Sequence, residues 1–147
     1  MSVLSRDEAL SEVDRLSGPL GPPGDLDERY RQRDRWVAGL DVREAARVLV
    51  GLLLEPPADH ELRFAGADDF AIGLAEILWT LGAHDVERYL EVIGPLLDRP
   101  STRAQAIELI GELGSEAGLV WLDRLDEAGL NEAERRALAE ARDEIRS

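Results

Sequence analysis

Cysteine is absent from this chain, which removes disulfides, thiolate metal sites and cysteine nucleophiles together. Lysine is absent as well, so all 17 basic residues are arginine. Aromatic residues are only 5% of the sequence, while Ala, Leu, Glu and Arg are abundant, a balance that favours helix over strand. No apolar run approaches the length that spans a bilayer; the longest, residues 48–54, is far too short. Residues 1–17 are charged and amphipathic without the apolar stretch of a secretory leader, so the expected location is cytoplasmic. Phosphate-cradling glycine loops and the HExxH zinc spacing are missing too. No catalytic signature is present, and an enzyme is not expected.

What remains is acidic and globular. The 31 acidic residues against 17 arginines leave a formal charge of −14. Such a charge repels phosphate backbones and excludes a typical nucleic-acid binder. It steers basic proteins inward, and it also keeps a protein in solution. Hydrophobic residues at 44% with 33% charged residues indicate a folded domain rather than a disordered chain. A length of 147 residues fits a single domain over residues 1–147 with a core of its own.

Helix signals recur along the chain. Ser5 with Glu8, and Asp41 with Glu44, have the capping-box spacing. The expected helices cover residues 6–17, 26–40, 42–54, 68–81, 86–97, 102–113, 116–127 and 132–146. Residues 18–24 hold three prolines and three glycines and read as a loop. Residues 55–67, with Pro56-Pro57 and Asp59-His60-Glu61, read as a longer one. Gly82, Gly114 and Gly129 stand at or just past expected helix ends, where left-handed backbone is needed. Short links between the later helices require antiparallel neighbours.

The chain also repeats itself. Ala75-Glu76-Ile77-Leu78-Trp79-Thr80-Leu81-Gly82 returns 32 residues later as Ile107-Glu108-Leu109-Ile110-Gly111-Glu112-Leu113-Gly114. A weaker echo follows at the same spacing, from Ala139-Glu140 to Glu144-Ile145. Similarity at a fixed period means a unit that buries its apolar face only by stacking on its copies. The six helices from residue 42 onward pair into three hairpins, with residues 55–67 as an insertion in the first.

Pro95, Asp98 and the run Arg103-x-x-Ala106-x-x-x-Ile110-Gly111-x-Leu113-Gly114 carry a resemblance to the HEAT-like repeat family, in its short bacterial, lyase-type form. It covers residues 41–145, although the first hairpin has Ala71 where the second has Arg103. The resemblance implies an all-α, right-handed α-α superhelix of about three hairpins, preceded by two N-terminal helices over residues 1–40. It also implies that the second helix of each pair lines a concave, partner-binding face.

The repeat spacing makes Glu76, Glu108 and Glu140 equivalent, with Thr80, Glu112 and Glu144 one turn later. Stacked side by side, they would form a ridge of carboxylates able to meet arginine or lysine of a partner; a solvated helix face gives the same pattern. Trp121 aligns with Tyr89 and reads as core, whereas Trp79 stands where the next repeat has Gly111, leaving Trp79 or Trp36 as the exposed tryptophan. Arg29, Arg31, Arg33 and Arg35 read as a charged helix face, paired as Asp25–Arg29 and Asp27–Arg31. His60 and His84 have no ligand spacing, and no metal or cofactor is expected. The expected function is protein–protein interaction, as an adaptor or an immunity-type inhibitor that meets a basic protein through Glu76, Trp79, Thr80, Glu108, Glu112, Glu140 and Glu144. The alternatives are a HEAT-like chromophore lyase or a small-ligand protein using the groove, where Arg103 and Arg135 would serve, and a structural subunit of a larger assembly.

Overall fold

The computed structural model describes residues 4–17, 26–55 and 69–147. The expectations for residues 18–24, for the insertion beyond Glu55, for His60 and for the side chains of residues 69–72 lie outside them. Among the described residues the secondary structure is helical throughout, without a strand. None of these helices is long and apolar enough to cross a membrane. The chain divides into two compact units, Met1–His84 and Asp85–Ser147.

The first unit contains α1 (Arg6–Ser17), α2 (Leu26–Ala38), α3 (Val42–Leu54) and α4 (Asp69–His84). At α1 and α3 the sequence offers a partner for the unbonded amides of the first turn. The Ser5 hydroxyl accepts from the Glu8 amide at 3.1 Å, and the Asp41 carboxylate accepts from that of Glu44 at 3.0 Å. Ala9, Val13 and Leu16 on α1, Ala45, Ala46, Leu49 and Leu52 on α3, and Leu74, Ile77, Leu78 and Leu81 on α4 follow the three-and-four spacing of one helix face and are all buried. α4 packs against α1, α2 and α3, which explains why it is the most apolar of the four. Each leucine or isoleucine it buries contributes about 2 kcal/mol.

α4 runs three residues past its expected end. Gly82 lies buried inside it, and the chain leaves helix only at Asp85, whose carboxylate caps the next helix by accepting from the Arg88 amide at 3.2 Å. Of the three glycines expected in left-handed backbone, only Gly114 adopts it, at φ 72°.

The second unit contains α5 (Val86–Ile93), α6 (Arg103–Leu113), α7 (Ala117–Leu122) and α8 (Glu132–Arg146), with 3₁₀ turns at Gly94–Asp98 and Glu127–Gly129. Two helices are shorter than their pattern. Pro95 has no amide to donate and its ring crowds the preceding turn, so α5 stops at Ile93 and tightens into 3₁₀ geometry. α7 stops at Leu122, and further on the Asp126 carboxylate takes the Ala128 amide at 3.1 Å to open a separate turn. α8 keeps its predicted bounds because Asn131 and Glu134 form a reciprocal capping box, at 2.8 and 2.9 Å.

Glu134 is buried and also faces the Arg103 guanidinium at 3.5 Å. Arg103 donates to the Leu97 carbonyl at 2.7 Å as well, so this arginine ties α6 to α8 and to the turn before it. The core between the helices is formed by Tyr89, Leu90, Ile93, Ile107, Ile110, Leu122 and Leu138. α6 and α8 approach closely at Gly111, where a Cβ would lie 2.8 Å from the Ala141 Cα.

Candidate functional site

Two helices of the first unit place side chains around one pocket. On α2, Tyr30, Arg33 and Asp34 stand at positions i, i+3 and i+4; on α4, Glu76, Trp79 and Thr80 repeat that spacing. Residues so spaced share a helix face, and because α2 packs on α4 the two faces enclose a pocket of about 350 Å³. That volume lies at the lower end of the range for small-ligand sites.

The base of the pocket is polar and engaged. Arg33 is only 7% exposed. Its Nη2 donates to Glu76 Oε2 at 2.8 Å, and its guanidinium carbon lies 5.0 Å from the centre of the Tyr30 ring. A buried cation is tolerated when a carboxylate and an aromatic face replace its water. The replacement is incomplete, because the Arg33 Nε is buried without a hydrogen-bond partner. The Thr80 hydroxyl, on a residue 5% exposed, donates to the Glu76 carbonyl at 2.9 Å. It is therefore committed to its own helix rather than available as a nucleophile.

The upper part of the pocket is open. Trp79 is 51% exposed and Tyr30 43%. Asp34 is largely exposed and stands 3.9 Å from His84 Nε2. Arg33 and Glu76 balance each other, so Asp34 leaves the six lining residues with one net negative charge. The exposed rings of Trp79 and Tyr30 and the Asp34 carboxylate thus line the open part of the pocket.

The residues expected to form an acidic ridge come from both units, Glu76 and Thr80 from the first and Glu108, Glu112, Glu140 and Glu144 from the second. Glu76 is exposed, but its carboxylate already holds an arginine of its own chain. Thr80 is buried and does not belong to an exposed face. In the second unit, Glu108, Glu112, Glu140 and Glu144 are exposed on α6 and α8. There the Glu112 carboxyl is raised above the usual carboxylate range by partial desolvation, then by the charges of Glu108 and Glu144. The Tyr89 hydroxyl beneath is raised in turn, by burial and then by Glu112. Among the described residues, no group of three His, Asp or Glu side chains is arranged to hold a metal ion.

Trp36 and Trp121 are half-buried. Trp121 lies over Gly94, where a Cβ would run into its ring, and carries the Arg124 guanidinium at 4.3 Å on its ring. Three residues of the pocket, Tyr30, Arg33 and Asp34, are not among those expected from the repeat. A signal for them exists nonetheless: Tyr30, Arg33, Val37 and Leu40 fall at the three-and-four spacing of an apolar face, which sets Arg33 apart from its exposed neighbours. Arg31 pairs with Glu28 at 2.8 Å, and Asp25 lies outside the described residues. No family model matches this chain, and no curated protein or solved structure matches it either.

Proposed function

We propose that the protein is an interaction module that binds a basic segment of another protein, with the α2–α4 pocket as its anchor point. The observation that carries this reading is the exposure of Trp79 and Tyr30 beside Asp34 and Glu76 in one concave pocket. The formal charge of −14 acts in the same direction at long range. Glu108, Glu112, Glu140 and Glu144 form a secondary acidic surface in this proposal, and no catalytic step is assigned.

The HEAT-like repeat reading, with its right-handed superhelix, belongs to the same proposal. It is supported by burial that follows the 32-residue spacing. Leu74, Ala106 and Leu138 are buried, as are Ile77, Leu109 and Ala141, whereas Glu76, Glu108 and Glu140 are exposed. The chromophore-lyase or small-ligand alternative is less well supported. Arg103 is engaged by the Leu97 carbonyl and Glu134, and Arg135 by the Glu127 carbonyl.

Variants that test the pocket have to spare the Arg33–Glu76 pair, since removing Glu76 would leave a buried guanidinium without its carboxylate. Asp34→Asn and Trp79→Ala change exposed groups only. Titration with an arginine- and lysine-rich peptide, followed by calorimetry at low salt, should give saturable binding that each variant weakens roughly five- to tenfold. Binding unchanged in both variants would remove the pocket from the proposal, and no binding at low salt would remove the basic partner.

A further inference from the structure

The pocket contains an internal example of the interaction it is suited to make. Arg33 rests on the Tyr30 ring while its terminal nitrogen meets a carboxylate at 2.8 Å. In the second unit Arg124 stacks on Trp121 at 4.3 Å in a similar way. In both places a flat guanidinium lies on an aromatic face, a geometry that the compact, strongly hydrated ammonium of lysine does not reproduce. What the pocket leaves open is a second set of the same two parts: the exposed Trp79 indole and the exposed Asp34 carboxylate.

We propose that the pocket accepts a single arginine side chain of the partner, its guanidinium stacked on Trp79 and hydrogen-bonded to Asp34, with the Arg33–Glu76 pair as the fixed wall behind it. This rests on the basic-segment reading above and narrows it to one residue type. The repulsion between the incoming guanidinium and Arg33 is offset because Glu76 already neutralises Arg33, so the entering charge meets a lining with one net negative charge. An anionic ligand would face the reverse balance, with Asp34 opposing it and the one buried cation engaged. A volume of about 350 Å³ holds one long side chain and part of its backbone, not a folded element.

The test uses the whole chain and three short peptides with identical lysine flanks and one central guest residue: arginine, lysine or citrulline. Citrulline keeps the planar shape without the charge, and lysine keeps the charge without the plane. The arginine peptide should bind roughly tenfold more tightly than either of the others. Trp79→Ala should abolish that preference while leaving the salt-dependent binding of the lysine peptide in place. Asp34→Asn should reduce arginine binding, and Asp34→Glu should restore part of it. The Trp79 indole N–H resonance should shift with the arginine peptide alone.

Equal affinity for all three guests, with salt setting the affinity, would overturn the arginine assignment and leave the basic-segment reading standing. So would an arginine preference that survives Trp79→Ala. Failure of every peptide to bind at low salt would overturn both.

Discussion

At Glu112 three carboxylates crowd together, and one of them is partly desolvated. Its pKa is raised by that desolvation first and by Glu108 and Glu144 second, so the folded protein takes up a proton at a higher pH than the unfolded chain does. Ionised Glu112 therefore opposes folding at neutral pH. The opposition fades as pH falls through the raised value and is gone below the ordinary value of 4.5. Glu108 shares its helix, Glu144 faces it from α8, and the Tyr89 hydroxyl approaches from α5. Glu112→Gln removes the charge and keeps the shape. It should raise stability at pH 7 by less than about 1 kcal/mol, as expected for a partly solvated group, and the gain should shrink to nothing in mild acid. Thermal unfolding of both proteins across that range checks it, and an advantage that persists at low pH would mean that the crowding is not electrostatic.

Among the elements, the contact of α6 with α8 depends on the smallness of one residue. A Cβ at Gly111 would lie 2.7 Å from the Ala141 Cβ and 2.8 Å from its Cα, distances that only movement of a whole helix can relieve. Alanine is a better helix former than glycine by about 1 kcal/mol, but overpacking at a helix crossing costs about 1–3 kcal/mol. The clash acts on backbone and should win. Gly111→Ala is expected to lose up to about 2 kcal/mol in urea denaturation, against a gain if the helices could part freely. The repeat hinted at this position by setting Gly111 opposite Trp79, but it offered no reason for a small residue there. Helix existence was legible because caps and apolar spacing agree, as at Ser5, Asp41 and the Leu74–Ile77–Leu81 face. Boundaries were legible only where a side chain enforces them. α4 ran through Gly82 because glycine permits left-handed backbone without requiring it, and α5 stopped early because proline is an obligate break. The pocket was half legible. Glu76 and Trp79 followed from the repeat, whereas their partners Tyr30, Arg33 and Asp34 lie outside it, and only the fold brings α2 onto α4.

Across the whole molecule, two consequences of the acidic charge respond to salt with opposite signs. The 17 arginines can neutralise at most as many of the 31 acidic residues, and many do so within one helix turn, as in Arg15–Glu12, Arg47–Glu44 and Arg88–Asp85. Such exposed pairs contribute less than about 1 kcal/mol each, so screening them loses little. The excess carboxylates repel one another over longer distances, and screening them favours the compact state. Repulsion outweighs attraction here because the imbalance is nearly half of the acidic total. Raising salt from a few millimolar to physiological strength, where the screening length falls to about 8 Å, should therefore raise the melting temperature by roughly a few degrees. The same change should weaken binding of a basic peptide, whose steering depends on the unscreened field. Measuring both quantities on one salt series separates charge that serves recognition from charge that only repels. A melting temperature that rises while peptide affinity stays flat would place the binding energy in the contacts of Trp79 and Tyr30. A parallel fall of both would mean that the intramolecular ion pairs, Arg33–Glu76 foremost, outweigh the repulsion in holding the fold.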